Sequence, residues 1–210
     1  MKSNIIINYF RNINKIPMSL PLFISALTNA NHDDINKYCA EFKLNTRNYN
    51  LSKYHEVLYI ITRILKPDTI IETGVFEGCS SLTFLIALNK NNKGLLYSID
   101  LPSSKLLPGN EPGWIVPAKL YDRWDLRKGK SECILPNLLD EINKVDIFLH
   151  DSDHSYTNMF WEFKTVCQFV REGGLVLSHD VSQNAAFRDF ANSISKKYYY
   201  MLKNCGGIKQ

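Results

Sequence analysis

Three side chains able to carry charge or exchange a proton, Asp151, Asp153 and His154, fall within four residues directly after the apolar run at 145–149. A buried strand that empties into carboxylates and an imidazole sets them at a sheet edge, where they can meet a ligand. A second acid–imidazole pair, His179-Asp180, follows the apolar run at 175–177. Imidazoles titrate near neutral pH, so His154 or His179 can take a proton from a hydroxyl within hydrogen-bond reach. His150, next to the run, is expected to pack in the core. Earlier in the chain, Glu72-Thr73-Gly74-Val75-Phe76-Glu77-Gly78 follows a short β-branched run, with Ser80 and Ser81 just beyond it. Gly74 and Gly78 permit a sharp turn and a close backbone approach to a ligand. Acids in that turn repel a pyrophosphate and the G-x-G-x-x-G spacing is absent, so a cationic ligand suits the turn better. Asp100 closes Tyr97-Ser98-Ile99, where a carboxylate can accept hydrogen bonds from both ribose hydroxyls of a nucleoside.

The elements that must position these groups alternate in type. Short β-rich runs at 69–71, 95–99, 145–149 and 175–177 are separated by helical stretches at 80–88, 131–142, 156–170 and 185–195. Such alternation predicts an α/β fold, a Rossmann-like doubly wound sheet that is mainly parallel. A strand, tight turn and return strand from Tyr198 to Ile208 add a C-terminal antiparallel strand. Tyr54, Val57, Leu58, Ile61, Ile64 and Leu65 recur at helical spacing between a Ser52 N-cap and Pro67. Residues 1–50, broken by Pro17 and Pro21, are read as a helical cap segment on a ligand-binding domain at 51–210. The loop at 101–117 carries four prolines and two glycines and is too long for a plain connection.

Glu72-Thr73-Gly74-x-x-Glu77-Gly78 resembles the first motif of class I S-adenosylmethionine-dependent methyltransferases. Asp146, then His150-Asp151-Ser152-x-His154-x-Tyr156, resembles the fourth-strand segment of a methyltransferase family acting mostly on small-molecule hydroxyls. Gly173-Gly174 through His179-Asp180 resembles its fifth strand, and the likeness spans roughly residues 52–210. It implies that Glu72, Thr73, Gly74, Gly78, Ser80 and Ser81 surround the cofactor's methionine end, with Asp100 on the ribose and Ser131 beside the adenine. Related metal-dependent O-methyltransferases hold a divalent ion with acids at the two strand ends occupied here by Asp151 and Asp180. Oxygen-rich sites of that kind favour Mg²⁺, although His179 stands where those enzymes often carry a third acid or amide. The acceptor implied is a hydroxyl on a sugar or another natural product. Trp114 and Trp124 would serve as its apolar walls or as core or oligomer contacts, and a homo-oligomer stays open.

Composition narrows the field. Hydrophobic residues make up 45% and charged residues 22%, ordinary globular values, and the formal charge is +4 with no basic stripe. Nucleic acid therefore has no electrostatic footprint. No apolar run reaches the roughly 20 residues of a membrane span, and no signal-peptide order is seen, so a cytoplasmic protein is expected. The five cysteines are spaced too widely for a zinc or disulfide framework and read as reduced thiols. Other readings are an NAD-dependent oxidoreductase or hydroxylase-like enzyme on the same sheet, or a non-catalytic cofactor-binding or assembly protein.

Overall fold

The structure is a computed structural model that describes residues 17–102, 109–201 and 204–210. The first sixteen residues of the expected cap segment, the middle of the 101–117 loop and Leu202 lie outside the described residues. The chain runs α1 (Leu20–Thr28), α2 (His32–Thr46), α3 (Lys53–Leu65), β1 (Thr69–Thr73), α4 (Cys79–Asn91) and β2 (Leu95–Asp100). A 3₁₀ turn (Ala118–Arg123), β3 (Trp124–Lys128), α5 (Ser131–Ile142), β4 (Val145–His150) and α6 (Tyr156–Cys167) follow. It ends with β5 (Val170–Ser178), α7 (Ala186–Ser193), β6 (Tyr198–Met201) and β7 (Cys205–Lys209).

Among the described residues these strands form one seven-stranded sheet in the order β3-β2-β1-β4-β5-β7-β6. Strands β1 to β5 are parallel, while β7 runs antiparallel to β5 and β6 antiparallel to β7. The chain winds outward from β1 through β2 to β3, then returns to lay β4 on the other side. Ligands collect outside the carboxyl ends of strands at such a reversal. Side chains alternate across the sheet. Ile70, Leu96, Ile147, Leu149, Leu175 and Leu177 join a cluster with α1 to α4. Ile71, Ile99, Phe148, Val176 and Ile208 join the opposite layer, with α5, α6 and α7. Phe23, Ile24 and Leu27 of α1 and Ile35 and Phe42 of α2 share the first cluster.

Helix α3 forms as its spacing predicts. The Ser52 backbone N–H donates to His55 Nδ1 at 2.9 Å, and Lys66 ends the helix in the left-handed region just before Pro67. The boundary between the 156–170 helical stretch and the strand after it differs from expectation in element type. The helical stretch expected to reach Val170 stops at Cys167, and Val170 instead opens β5. There Val170 pairs with Val145, and the register shifts between Val145 and Ile147. Cross-sheet pairing, invisible to local periodicity, decides that boundary. No helix among the described residues is long and apolar enough to cross a membrane.

Candidate functional site

Three backbone bonds carry the ladder one residue past the strands. Gly74 donates to the Ile99 carbonyl at 2.9 Å, Asp151 to that of Thr73 at 2.8 Å, and His179 to that of His150 at 2.9 Å. The ends of β1, β2, β4 and β5 thus stand side by side. Above them opens a cavity of about 750 Å³, lined among others by Gly74, Phe76, Asp100, Ser131, Asp151, Ser152 and His179. Gly74 has φ +88°, and a Cβ there would overlap the Asp151 carbonyl. Any side chain at this position would push β1 and β4 apart at the cavity floor.

On the β1 side, most of the expected ligand residues turn inward. Glu72 is fully buried and accepts from Ser80 at 2.9 Å, from Ser98 at 2.6 Å and from Ser81. Burial pushes its carboxyl up to about 7 despite those three hydroxyls. Trp124 Nε1 donates to Ser98 at 2.7 Å and closes the network. Thr73 is buried and donates to Glu162 at 2.6 Å. A Cβ on Gly78 would lie 2.7 Å from Gly113 Cα, so its close approach serves the loop at 109–117. Asp100 does reach the cavity wall, and there it clamps the turn. Its Oδ2 accepts from the Val75 and Phe76 amides at 2.8 and 2.7 Å, and its Oδ1 from Leu101 at 2.7 Å. A carboxylate has about four lone-pair positions, so room remains for a further donor.

On the β4 and β5 side the groups stay open. Asp151 Oδ1 lies 3.1 Å from His179 Nδ1 and 3.7 Å from His154 Nε2. Asp180 lies 3.5 Å from His154 Nε2 and 3.6 Å from His179 Nδ1. Asp180 itself has φ +50° and is steadied by Gln183 Nε2 at 2.7 Å. Burial holds His154 below the ordinary histidine range, favouring the neutral ring. Burial opposes charge on His179 as well, but the hydrogen bond to Asp151 and the carboxylates of Asp151 and Asp180 outweigh it, and its pKa rises. Ser155 is the N-cap of α6, which leaves the His154 ring free of that task.

Several participants were not visible in the sequence. His150 is buried as expected, but its Nδ1 sits 2.7 Å from Glu162 Oε2, and both side chains are fully buried. Glu162 also accepts from Ser152 at 2.9 Å and Asn158 at 3.2 Å. Burial works against its charge, yet His150 above all, with the Ser131 and Thr73 hydroxyls, holds it below the usual carboxylate range. Glu162 is therefore the post beneath the Asp151 turn. Tyr54 lays its ring 4.6 Å from that of His179, and its buried hydroxyl has no hydrogen-bond partner among the described residues. His55 lines a side recess of about 130 Å³ with Ser80 and Asp151, and burial pushes it down to about 4. Local sequence carries no signal for these contacts, since Tyr54 and His179 lie far apart in the chain and Glu162 reaches His150 only when α6 packs on β4. Neither Trp114 nor Trp124 lines the cavity. Trp124 packs on Gly113, and the exposed apolar groups at the cavity are Phe76 and Leu101.

The donor set does not suit magnesium. Mg²⁺ takes oxygen ligands in near-ideal octahedral geometry. Here the acids expected to hold it have two imidazole nitrogens within 3.1–3.7 Å.

A family model described as a methyltransferase domain matches residues 71–181. No curated protein matches the sequence. Among solved structures, an O-methyltransferase from Bacillus cereus in complex with S-adenosylhomocysteine is 13% identical. The alignment covers 91% of this chain and 100% of that one, with a TM-score of 0.56. TomG, an O-methyltransferase of tomaymycin synthesis from Streptomyces achromogenes, solved with S-adenosylmethionine, is 16% identical. Coverage is 89% and 92%, with a TM-score of 0.59. CalS11, a TDP-rhamnose 3′-O-methyltransferase of calicheamicin biosynthesis, is 16% identical, with 84% and 92% covered and a TM-score of 0.60. At these identities the likeness speaks for the fold.

Proposed function

The chain belongs to the methyltransferase-domain family as a class I S-adenosylmethionine-dependent enzyme, and from that premise we propose that it methylates a hydroxyl of a small molecule, such as a sugar or another natural product. The observation that carries this reading is the cluster of Asp151, His154 and His179, of which Asp151 and His179 line the cavity and His154 stands behind them, 3.7 Å from Asp151. The cavity fits the cofactor. Its volume of about 750 Å³ lies in the range of small-molecule sites. Its wall includes the acids Asp100 and Asp151, which suit a cation.

When bound, S-adenosylmethionine supplies a methyl group on a sulfonium, whose departure as a neutral thioether needs little assistance. Asp100 is assigned to the ribose through the lone-pair position its three amides leave open, and Gly74 lets the floor approach the methionine end. Ser131, at the start of α5, is assigned to the adenine side. Glu72, Ser80, Ser81 and Thr73 act from beneath by shaping the turn, and Gly78 by seating the loop above it.

The acceptor hydroxyl is to lie against Asp151, with His154 and His179 on either side. On transfer of the methyl group to its oxygen, the hydroxyl would lose its proton to one of these imidazoles, the residues' own part in the step. His154, held neutral by burial, is the readier of the two. Alignment in near-attack geometry can supply roughly 7–11 kcal/mol, so a modest base suffices. The Mg²⁺ expected at Asp151 and Asp180 has no part in this step. CalS11 and TomG, named for a sugar and a natural-product pathway, support the acceptor class, and the acceptor as a partner is a small molecule rather than a nucleic acid.

The test is transfer of a labelled methyl group from S-adenosylmethionine to a panel of small hydroxyl, amine and thiol compounds. Labelled ether products that vanish with Asp151→Asn are expected. Product formed only on amines or thiols would sink the hydroxyl reading.

A further inference from the structure

The two serines expected at the cofactor's methionine end have already committed their protons. Ser80 donates to Glu72 at 2.9 Å and Ser81 to the same carboxylate, so a ligand carboxylate at that end must find its donor elsewhere. A side recess of about 130 Å³, lined among others by His55, Phe76, Glu77, Cys79, Ser80 and Asp151, offers one. Val75, Phe76 and Asp151 also line the main cavity, so the two spaces adjoin. The recess lies at the start of α4, whose N-cap Gly78 has no side chain to accept from the first amides, a setting that favours an anion.

His55 is a donor of fixed tautomer there. The Ser52 backbone N–H donates to its Nδ1 at 2.9 Å. A backbone amide only donates, so Nδ1 keeps its lone pair and the proton of the neutral ring sits on Nε2. Burial keeps the ring neutral by pushing its pKa down to about 4. Nε2 has no hydrogen-bond partner among the described residues. Glu77 and Asp151 on the recess wall repel a lone anion but suit an α-ammonium, so an amino-acid zwitterion answers both signs.

We infer that His55 Nε2–H holds the α-carboxylate of S-adenosylmethionine in this recess, which makes His55 a residue by which the chain selects a cofactor with an intact amino-acid end. This role belongs to the cofactor side of the site and holds whichever acceptor is methylated.

The test is calorimetric titration of the full chain, without acceptor, with S-adenosylmethionine and with decarboxylated S-adenosylmethionine, which lacks only that carboxylate. His55→Ala is expected to lose about 10-fold or more in affinity for S-adenosylmethionine and less than about 2-fold for the decarboxylated form. His55→Glu keeps a side-chain acceptor for the Ser52 amide, since Glu suits the third helical position of a capping box. It also sets a carboxylate in the recess, so it should weaken S-adenosylmethionine further and spare the decarboxylated form. Should both variants fail to fold, the proton signal of His55 Nε2–H in the wild type decides. It should move downfield with S-adenosylmethionine and stay in place with the decarboxylated form. No binding of S-adenosylmethionine, affinity for it unchanged in the variants, an equal loss for both ligands, or an unmoved proton signal would each overturn the inference. The equal loss would leave His55 as a helix cap only. Selective loss in the variants, alongside methylation of amines or thiols alone, would sink the hydroxyl reading and leave this one standing.

Discussion

Glu72 and Asp151 stand at the ends of two strands that pair directly, yet they live in opposite environments. Glu72 is sealed, with three serine hydroxyls on its carboxylate and a tryptophan N–H behind one of them. Asp151 is about a quarter exposed, faces two half-buried imidazoles and opens onto the cavity. The difference teaches that an acid at a strand end is not by itself a ligand group. What separates the two is whether the protein has already supplied the partners. A buried carboxylate with a full set of donors shapes the backbone above it, whereas one left with open lone pairs and room in front can take a substrate.

The sharpest way to break that contrast is to strike beneath the open side. Glu162→Ala should cost about 3–5 kcal/mol in chemical denaturation, because it leaves His150 and Thr73 buried without their carboxylate. A loss under about 1 kcal/mol would show that the post is dispensable. Asp151→Ala should do the reverse. Methyl transfer should fall by about 10²–10⁴-fold, while unfolding free energy shifts by less than about 1 kcal/mol. An equal loss of stability would erase the distinction between the two acids.

The sealed side makes a prediction in pH. The Glu72 carboxyl ordinarily titrates at 4.5 and rises to about 7 in the folded chain. Between those values the folded state holds more protons than the unfolded one, so this contribution to stability is full below 4.5 and declines as pH rises. The decline amounts to ~3 kcal/mol by the size of the shift. Glu72→Gln should remove that part of the slope in denaturation curves taken from pH 4 to 8, and an unchanged slope would refute the assignment. The smallest effect belongs to Trp124→Phe, which deletes the N–H on Ser98 while keeping the ring against Gly113. A loss of about 1 kcal/mol is expected, with cofactor affinity by calorimetry unchanged.

Much of the fold could be read directly. The four parallel strands named from β-rich runs all form, because each run is short, apolar and bounded by turn residues. The end of α6 could not be read, since Val170 extends the helical pattern locally and becomes a strand only by pairing with Val145. At the site, the cluster of Asp151, His154, His179 and Asp180 was legible as residue types following two strands. Their mutual distances were not, because β4 and β5 meet only once α6 has folded back between them. Tyr54 on His179 and Glu162 on His150 were beyond reach for the same reason.

The sequence by itself determined that a parallel α/β sheet would deliver acids and imidazoles to one edge, since strand periodicity and chain direction place the residue after each strand there. Only the tertiary structure decided which of those acids would be closed off and which would face the cavity. That choice depends on whether a hydroxyl or an imidazole from a distant segment comes within about 3 Å, a matter of packing that no local pattern encodes.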